Sequence, residues 1–249
     1  MTSLRTRFGP ASVAPATSGS PTRTVAAPRP VAVTAALIAL AVVSVFAWHG
    51  RVIAPDATLT ADIVQRPGSV LFRVGEVLSL PGSGAAVLVV SLVIAAVVWH
   101  RSRDLVLAAV VPLAGAVGGV GELVAKQVVE RLRPPTAVFT GESGYGFPSG
   151  HTTGFVAMVV AAVVVLGAIR ARRLGLGQSG AWVRAAVAAF LAIGVGLGRV
   201  FVGAHYVGDI VGGVLLGTVC ASSVLLGLPL VRRIAAPIVT LLSERTAAP

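Results

Sequence analysis

The sequence predicts an all-α protein, a bundle of six membrane-spanning helices. Three observations carry that prediction. Only 12% of the 249 residues are charged while 55% are hydrophobic, against about 25% charged in an ordinary soluble domain, and mean hydropathy is +0.91. Six apolar runs (31–48, 81–99, 105–129, 152–169, 181–198 and 206–228) each come near the roughly 20 helical residues that a bilayer core of about 30 Å requires. All three tryptophans, Trp48, Trp99 and Trp182, stand at run ends, where an interfacial aromatic belt places them.

The elements follow in order. Residues 1–30 are rich in Pro, Ala, Ser, Thr and Arg without helical periodicity and read as a disordered tail. The first run has 18 residues, longer than the 7–15 of a signal-peptide core, and no small-residue cleavage site follows it. It reads as a retained span. The connection 51–80 contains a loosely alternating stretch from Ser69 onward. That stretch is either an amphipathic interfacial helix or a plain loop. The run 105–129 contains Pro112 and several glycines, which predicts a kink. After residue 228 the segment 234–242 is apolar but too short to span. The chain thus divides into a tail (1–30), a six-span domain (31–228) and a C-terminal tail (229–249).

Charge gives the orientation. The N-terminal tail (Arg5, Arg7, Arg23, Arg29), the second-to-third connection (Arg101, Arg103), the fourth-to-fifth (Arg170, Arg172, Arg173, Arg184) and the C-terminal tail (Arg232, Arg233, Arg245) hold 13 of the 20 Lys and Arg residues. The positive-inside rule puts both termini in the cytoplasm of a plasma-membrane protein. The net charge of +11 is accounted for by this orienting pattern, and with few aromatics it does not indicate nucleic-acid binding. The single cysteine, Cys220, excludes an intrachain disulfide. Glycine pairs at four-residue spacing permit close helix approach but assign no oligomeric state.

Three polar islands interrupt the apolar runs, all on the extracytoplasmic side in this topology. The first holds the only lysine, Lys126, with Arg133-Pro134 seven residues on, close to two helical turns. Arg131 between them reads as a juxtamembrane anchor, and either Glu122 or Glu130, one turn to each side of Lys126, is placed to pair with it. The second is Pro148-Ser149-Gly150-His151, small residues before a helix start, where a hydroxyl and backbone N–H groups can cradle phosphate oxygens. His151 suits general acid–base work. The third is Gly198-Arg199, His205 and Asp209. At four-residue spacing a carboxylate can hold one ring nitrogen of His205 and leave the other nucleophilic. A carboxylate at the start of a span is by default functional. A break near Gly203 would let Arg199 share the pocket. Fixed cations stabilise the charge of a phosphoryl transition state. His49 and His100 follow tryptophans and read as interfacial residues.

The ordered pattern Lys-x6-Arg-Pro, Pro-Ser-Gly-His, Arg-x5-His-x3-Asp resembles the three motifs of the type 2 phosphatidic acid phosphatase superfamily, which includes membrane lipid phosphate phosphatases and soluble vanadium haloperoxidases. One position departs: the third motif usually begins Ser-Arg, and here Gly198 precedes Arg199. The resemblance implies His205 as nucleophile, Asp209 as its orienter and His151 as acid and then base. It implies Lys126, Arg133, Ser149, Gly150 and Arg199 as the phosphate holders, with no metal and no other cofactor. The expected reaction is removal of phosphate from a membrane lipid phosphate or lipid pyrophosphate through a phosphohistidine, at a site on the extracytoplasmic interface. A polyprenyl pyrophosphate is the favoured substrate, with phosphatidylglycerol phosphate or phosphatidate next. Six spans argue against the soluble haloperoxidase branch. Charges clustered at one face, not deep within spans, argue against a transporter or non-catalytic lipid-binding protein.

Overall fold

The computed structural model describes residues 30–47, 54–175 and 180–247. Trp48, His49, Arg51 and the tail before Pro30 lie outside them. Eight α-helices are described: α1 (Pro30–Ala47), α2 (Ala54–Ile63), α3 (Val70–Ser79), α4 (Gly84–Ser102), α5 (Leu105–Val129), α6 (Gly150–Leu174), α7 (Ala181–Phe201) and α8 (Val207–Ala247). Two short 3-10 turns interleave, Leu80–Gly82 and Pro135–Thr140. Extended pairing among the described residues is an isolated bridge between Leu132 and Tyr145.

Five of these helices, α4 to α7 and α8 through Ile234, are long and apolar enough to cross a membrane by length and composition. They match five of the six expected spans. The remaining run is helical as α1 up to Ala47, and α1 packs on α8. α5 continues as one helix through Pro112. α8 is a single 41-residue helix that does not break at 228, so the expected C-terminal tail continues it through Ala247. Within the connection 51–80 two helices form, α2 and α3, so the stretch from Ser69 is helical and not a plain loop. The Ser69 hydroxyl accepts from the Phe72 N–H and caps α3.

The helix ends are written in the sequence. Ser83 caps α4 by accepting from Ala86 N–H, and Asp104 caps α5 by accepting from Leu107 N–H, each satisfying an amide that has no intrahelical partner. Glu130 ends α5 in the left-handed conformation. α6 is the most enclosed of the spanning helices and α4 the least. The α6 face formed by Ala157, Ala161 and Val165 is fully buried. α5 and α8 pack against α6, and α4 covers α5.

The bundle has two unlike ends. At one, Arg173 donates to the carbonyl of Arg101 at 2.9 Å, and Arg232 pairs with Asp104. At the other, the 3-10 turns, the 141–149 loop and α2 close over the starts of α6 and α8.

Candidate active site

The third island begins where α7 stops. α7 ends at Phe201, Gly203 takes φ +74°, and α8 starts at Val207. This is the expected break, and Thr136 buttresses it by donating to the Gly203 carbonyl at 2.8 Å. It turns His205 toward the centre of the bundle end, 1% exposed, above Asp209, which is 0% exposed. The His205 Nδ1 to Asp209 Oδ2 distance is 3.3 Å. On the other ring nitrogen, Nε2, Arg133 Nη1 lies 3.0 Å away. A guanidinium only donates and a carboxylate only accepts. The ring is therefore neutral, with its proton on Nδ1 and its lone pair on Nε2. Burial, then the Arg133 and Arg199 guanidiniums, hold the His205 pKa well below the usual 6.5.

The cations converge in front of that lone pair. Arg133 Nη1 contacts Glu142 Oε2 at 2.6 Å, Arg199 Nη2 bonds the same carboxylate through Oε1, and Glu142 Oε2 lies 4.0 Å from His205 Nε2. Burial pushes the Glu142 carboxyl up, but Arg199 and Arg133 outweigh that and hold it below its usual range. The Nε–H groups of Arg133 and Arg199 are buried and have no partner among the described residues.

Lys126 pairs with Glu122 at 2.5 Å, which settles the choice between Glu122 and Glu130. A Cβ on Gly150 would stand 2.8 Å from Glu122 Oε1. Glycine therefore admits this carboxylate to the first turn of α6. His151, Lys126, Arg133, Glu142, Gly150 and His205 line one cavity of about 530 Å³, whose other end runs between Leu88 of α4 and Ala116 and Gly119 of α5. Arg199 reaches this group through Glu142.

Ser149 is placed at the α6 start but fully buried. Its N–H donates to the Asp209 carbonyl at 3.0 Å, and its hydroxyl accepts from Thr152 at 3.3 Å. In this arrangement Ser149 ties α6 to α8 behind the cavity wall.

Arg131 corrects the sequence reading. It is no surface anchor: 2% exposed, it donates to Asp209 Oδ1 at 2.9 Å and to Asp56 Oδ2 at 2.5 Å. An apolar run gives no sign of this, because the partners lie 75 and 78 residues away in sequence. Glu142 and Asp56 were likewise missed. The available signal for Glu142 was an acidic residue in the short stretch between two motifs.

Among the described residues no group of three His, Cys, Asp or Glu is arranged to hold a metal ion. What remains is a neutral histidine with an aimed lone pair, a carboxylate behind it, a second histidine in the same cavity and two arginines gripping an anion in front. These groups gather at one end of a membrane helix bundle, in a setting whose charge suits an anionic ligand. The chain belongs to the PAP2 superfamily, whose profile matches residues 105–232. It is 35% identical over 96 residues to phosphatidylglycerophosphatase B of Bacillus subtilis (strain 168), a match covering 38% of this chain and 44% of that protein. The chain thus spans less than half the length of this curated relative. Its fold is similar to the crystal structure of a transmembrane PAP2 type phosphatidylglycerolphosphate phosphatase from Bacillus subtilis, with TM-score 0.66 and 22% identity over 77% of this chain and 93% of that one. With its apolar helices, the chain is a multi-pass membrane protein.

Proposed function

We propose that this protein is a membrane lipid phosphatase that hydrolyses a lipid phosphate through a phosphohistidine. One observation carries the reading: a carboxylate sits between Arg133 and Arg199, 4.0 Å from the nucleophilic nitrogen of His205. A phosphoryl group has the charge and the equatorial oxygens to take the place of Glu142, and the two unpartnered arginine Nε–H groups add donors for it. Arg133 then turns from His205 Nε2 to a phosphate oxygen and frees the lone pair. Lys126, Arg133 and Arg199, with Gly150 at the start of α6, hold the phosphate, while Ser149, expected among the holders, is buried behind the wall and braces α6 against α8.

The steps balance. His205 Nε2 attacks phosphorus, the bond from phosphorus to the lipid oxygen breaks, and His151 protonates the leaving oxygen. His151, now neutral, takes a proton from water. The hydroxide oxygen attacks phosphorus, the P–N bond breaks, and inorganic phosphate leaves. Asp209 faces the cationic ring of the intermediate. The apolar end of the cavity accepts the lipid chain while the head group meets the cations.

The two relatives are named for phosphatidylglycerophosphate. That favours a glycerophospholipid monophosphate as substrate over the polyprenyl pyrophosphate the motifs alone suggest. The domain limits, both termini in the cytoplasm and an extracytoplasmic site remain part of this proposal, as does α1 as a sixth span. The test is phosphate release from phosphatidylglycerol phosphate, phosphatidate and polyprenyl pyrophosphate in detergent micelles, with and without EDTA. The protein should release phosphate from the first in EDTA, and vanadate should inhibit it. No release from any lipid phosphate, or loss in EDTA restored by a divalent cation, would overturn the reading.

A further inference from the structure

The buried carboxylate behind His205 is not alone. Arg131 Nη1 binds Asp209 Oδ1 at 2.9 Å, and Arg131 Nη2 binds Asp56 Oδ2 at 2.5 Å. The guanidinium lies 4.5 Å over the Tyr206 ring. Asp56 is itself held, because Gly208 N–H donates to its Oδ1 at 2.9 Å. One turn along α2, Thr60 Oγ1 accepts from Val207 N–H at 3.1 Å. Residues 56 and 60 of α2 thus satisfy amides in the first turn of α8, which otherwise lack intrahelical partners, and side chain and backbone together fix α2 on the site.

Two consequences follow. Asp209 Oδ2 already accepts from Tyr206 N–H at 3.0 Å and faces His205 Nδ1. With Oδ1 pinned by Arg131, the carboxylate cannot rotate, so Oδ2 stays aimed at the histidine. The second consequence is electrostatic. When His205 Nε2 forms its bond to phosphorus, the ring becomes a cation with its proton still on Nδ1. An Asp209 paired with Arg131 alone is a net-neutral partner for that cation. Asp56 restores the missing negative charge: Asp56, Arg131 and Asp209 carry net −1. In a buried site one unit of charge weighs heavily.

We infer that Arg131 and Asp56 are positioning residues for the nucleophile: Arg131 locks Asp209, and Asp56, contributed by α2 of the outer connection, returns the negative charge that stabilises the phosphorylated ring. This rests on the proposed histidine chemistry and gives α2 a role in it. The same network would serve a phosphomonoester or a pyrophosphate, since it acts on the ring and not on the head group.

The test compares the rate of phosphohistidine formation, by acid quench with a radioactive lipid phosphate, in four variants. Asp56→Asn is isosteric and keeps the acceptor for Gly208 N–H. It should slow labelling about 10- to 100-fold, the range in which second partners of metal-bound histidines act, while vanadate affinity stays at the wild-type value, because the cavity cations are untouched. Arg131→Lys keeps the charge but not the two-armed grip on Asp209 and Asp56, and should also slow labelling about 10-fold while vanadate affinity stays at the wild-type value. Thr60→Val loosens α2 from α8 without changing charge, and Asp56→Glu keeps the charge. Both should label within a few-fold of wild type, and they carry the comparison if Asp56→Asn does not fold. Wild-type labelling in Asp56→Asn or in Arg131→Lys, or equal losses in Thr60→Val and Asp56→Asn, would overturn the inference. If wild-type protein hydrolyses no lipid phosphate or His205→Ala stays active, the proposed function itself fails, and that result is distinct from any of these.

Discussion

The carbonyl oxygen of Gly75 lies where a side chain on Gly198 would begin: a Cβ at position 198 would stand 2.7 Å from it, and 2.9 Å from Ser79 Oγ. The reverse is also true, since a Cβ on Gly75 would meet the Gly198 carbonyl at 3.0 Å and Phe201 Cβ at 2.7 Å. α3 and α7 therefore cross backbone to backbone, one residue before Arg199. This is why the third motif here begins with glycine in place of serine. Ser79 Oγ, which donates to the Gly75 carbonyl at 2.7 Å, fills the space.

Restoring the motif serine should then harm this chain. Gly198→Ser must push α3 from α7, a cost of about 1–3 kcal/mol for overpacking, and it displaces the turn that carries Arg199. Thermal unfolding in detergent should fall for Gly198→Ser and at least as far for Gly198→Ala/Gly75→Ala. An unchanged midpoint for Gly198→Ser would mean that the crossing is looser than these contacts.

Glu142 competes with phosphate for the two arginines. Glu142→Gln removes the competing charge and leaves Arg133 and Arg199 without their carboxylate counter-ion. Inhibition by inorganic phosphate and by vanadate should tighten by about 10-fold or more, equivalent to roughly 1.4 kcal/mol. Titration of phosphate release with each inhibitor reads this. Weaker inhibition in the variant would show that Glu142 helps to bind the anion instead of holding its place.

The pH profile follows from the neutral His205. Burial, Arg133 and Arg199 lower its pKa, so the attacking form persists as pH falls through 6.5 and is lost only at lower pH. Arg133→Gln removes the leading charge that depresses it. The folded pKa then rises toward the ordinary value, and the acid limb of kcat/KM moves to higher pH. The substrate phosphate also titrates near about 6, so the shift between variant and wild type is the measured quantity. An acid limb that stays in place, or moves down, contradicts the electrostatics described here.

Much of this was legible because helical spacing carries it. His205 and Asp209 meet since four residues make about one turn, and Lys126 finds Glu122 for the same reason. The break at Gly203 was legible from the glycine itself. What escaped the sequence depends on docking between distant segments. Arg131 looks like any cation at a run end until α2 brings Asp56 to it, and Glu142 enters the site only because its loop folds inward over Arg133 and Arg199. The length of α8 was hidden because a hydropathy threshold registers apolar content, whereas a helix continues through polar residues.

Orientation has its own test. Arg101, Arg173 and Arg232 gather at the bundle end opposite His151 and His205, which supports a basic cytoplasmic face. Reporter fusions after Arg101, Arg172 and Arg245 should all report cytoplasm. A periplasmic signal from any of them would move the site to the inner face and limit its substrates to that leaflet.

The division of labour between the two histidines is the strongest test of the chemistry. His205 has its proton on Nδ1, turned to Asp209, and its lone pair on Nε2, turned to the anion held by the arginines. His151 lines the same cavity from the first turn of α6. His205→Ala should therefore abolish turnover and covalent labelling together, since no nucleophile remains. His151→Ala should cut turnover by about 10²- to 10⁴-fold, the usual contribution of a general acid–base group, yet still label from an ester with a good leaving group, because such a group departs without a proton. Asp209→Asn should slow labelling while leaving vanadate affinity close to wild type. Acid quench with a radioactive phosphate ester, checked for the acid-labile and base-stable behaviour of a phosphoramidate, reads all three. Labelling that persists in His205→Ala and vanishes in His151→Ala would reverse the two roles. A wild-type protein that turns over and never labels at millisecond resolution would make water the direct attacker, with His205 as its base.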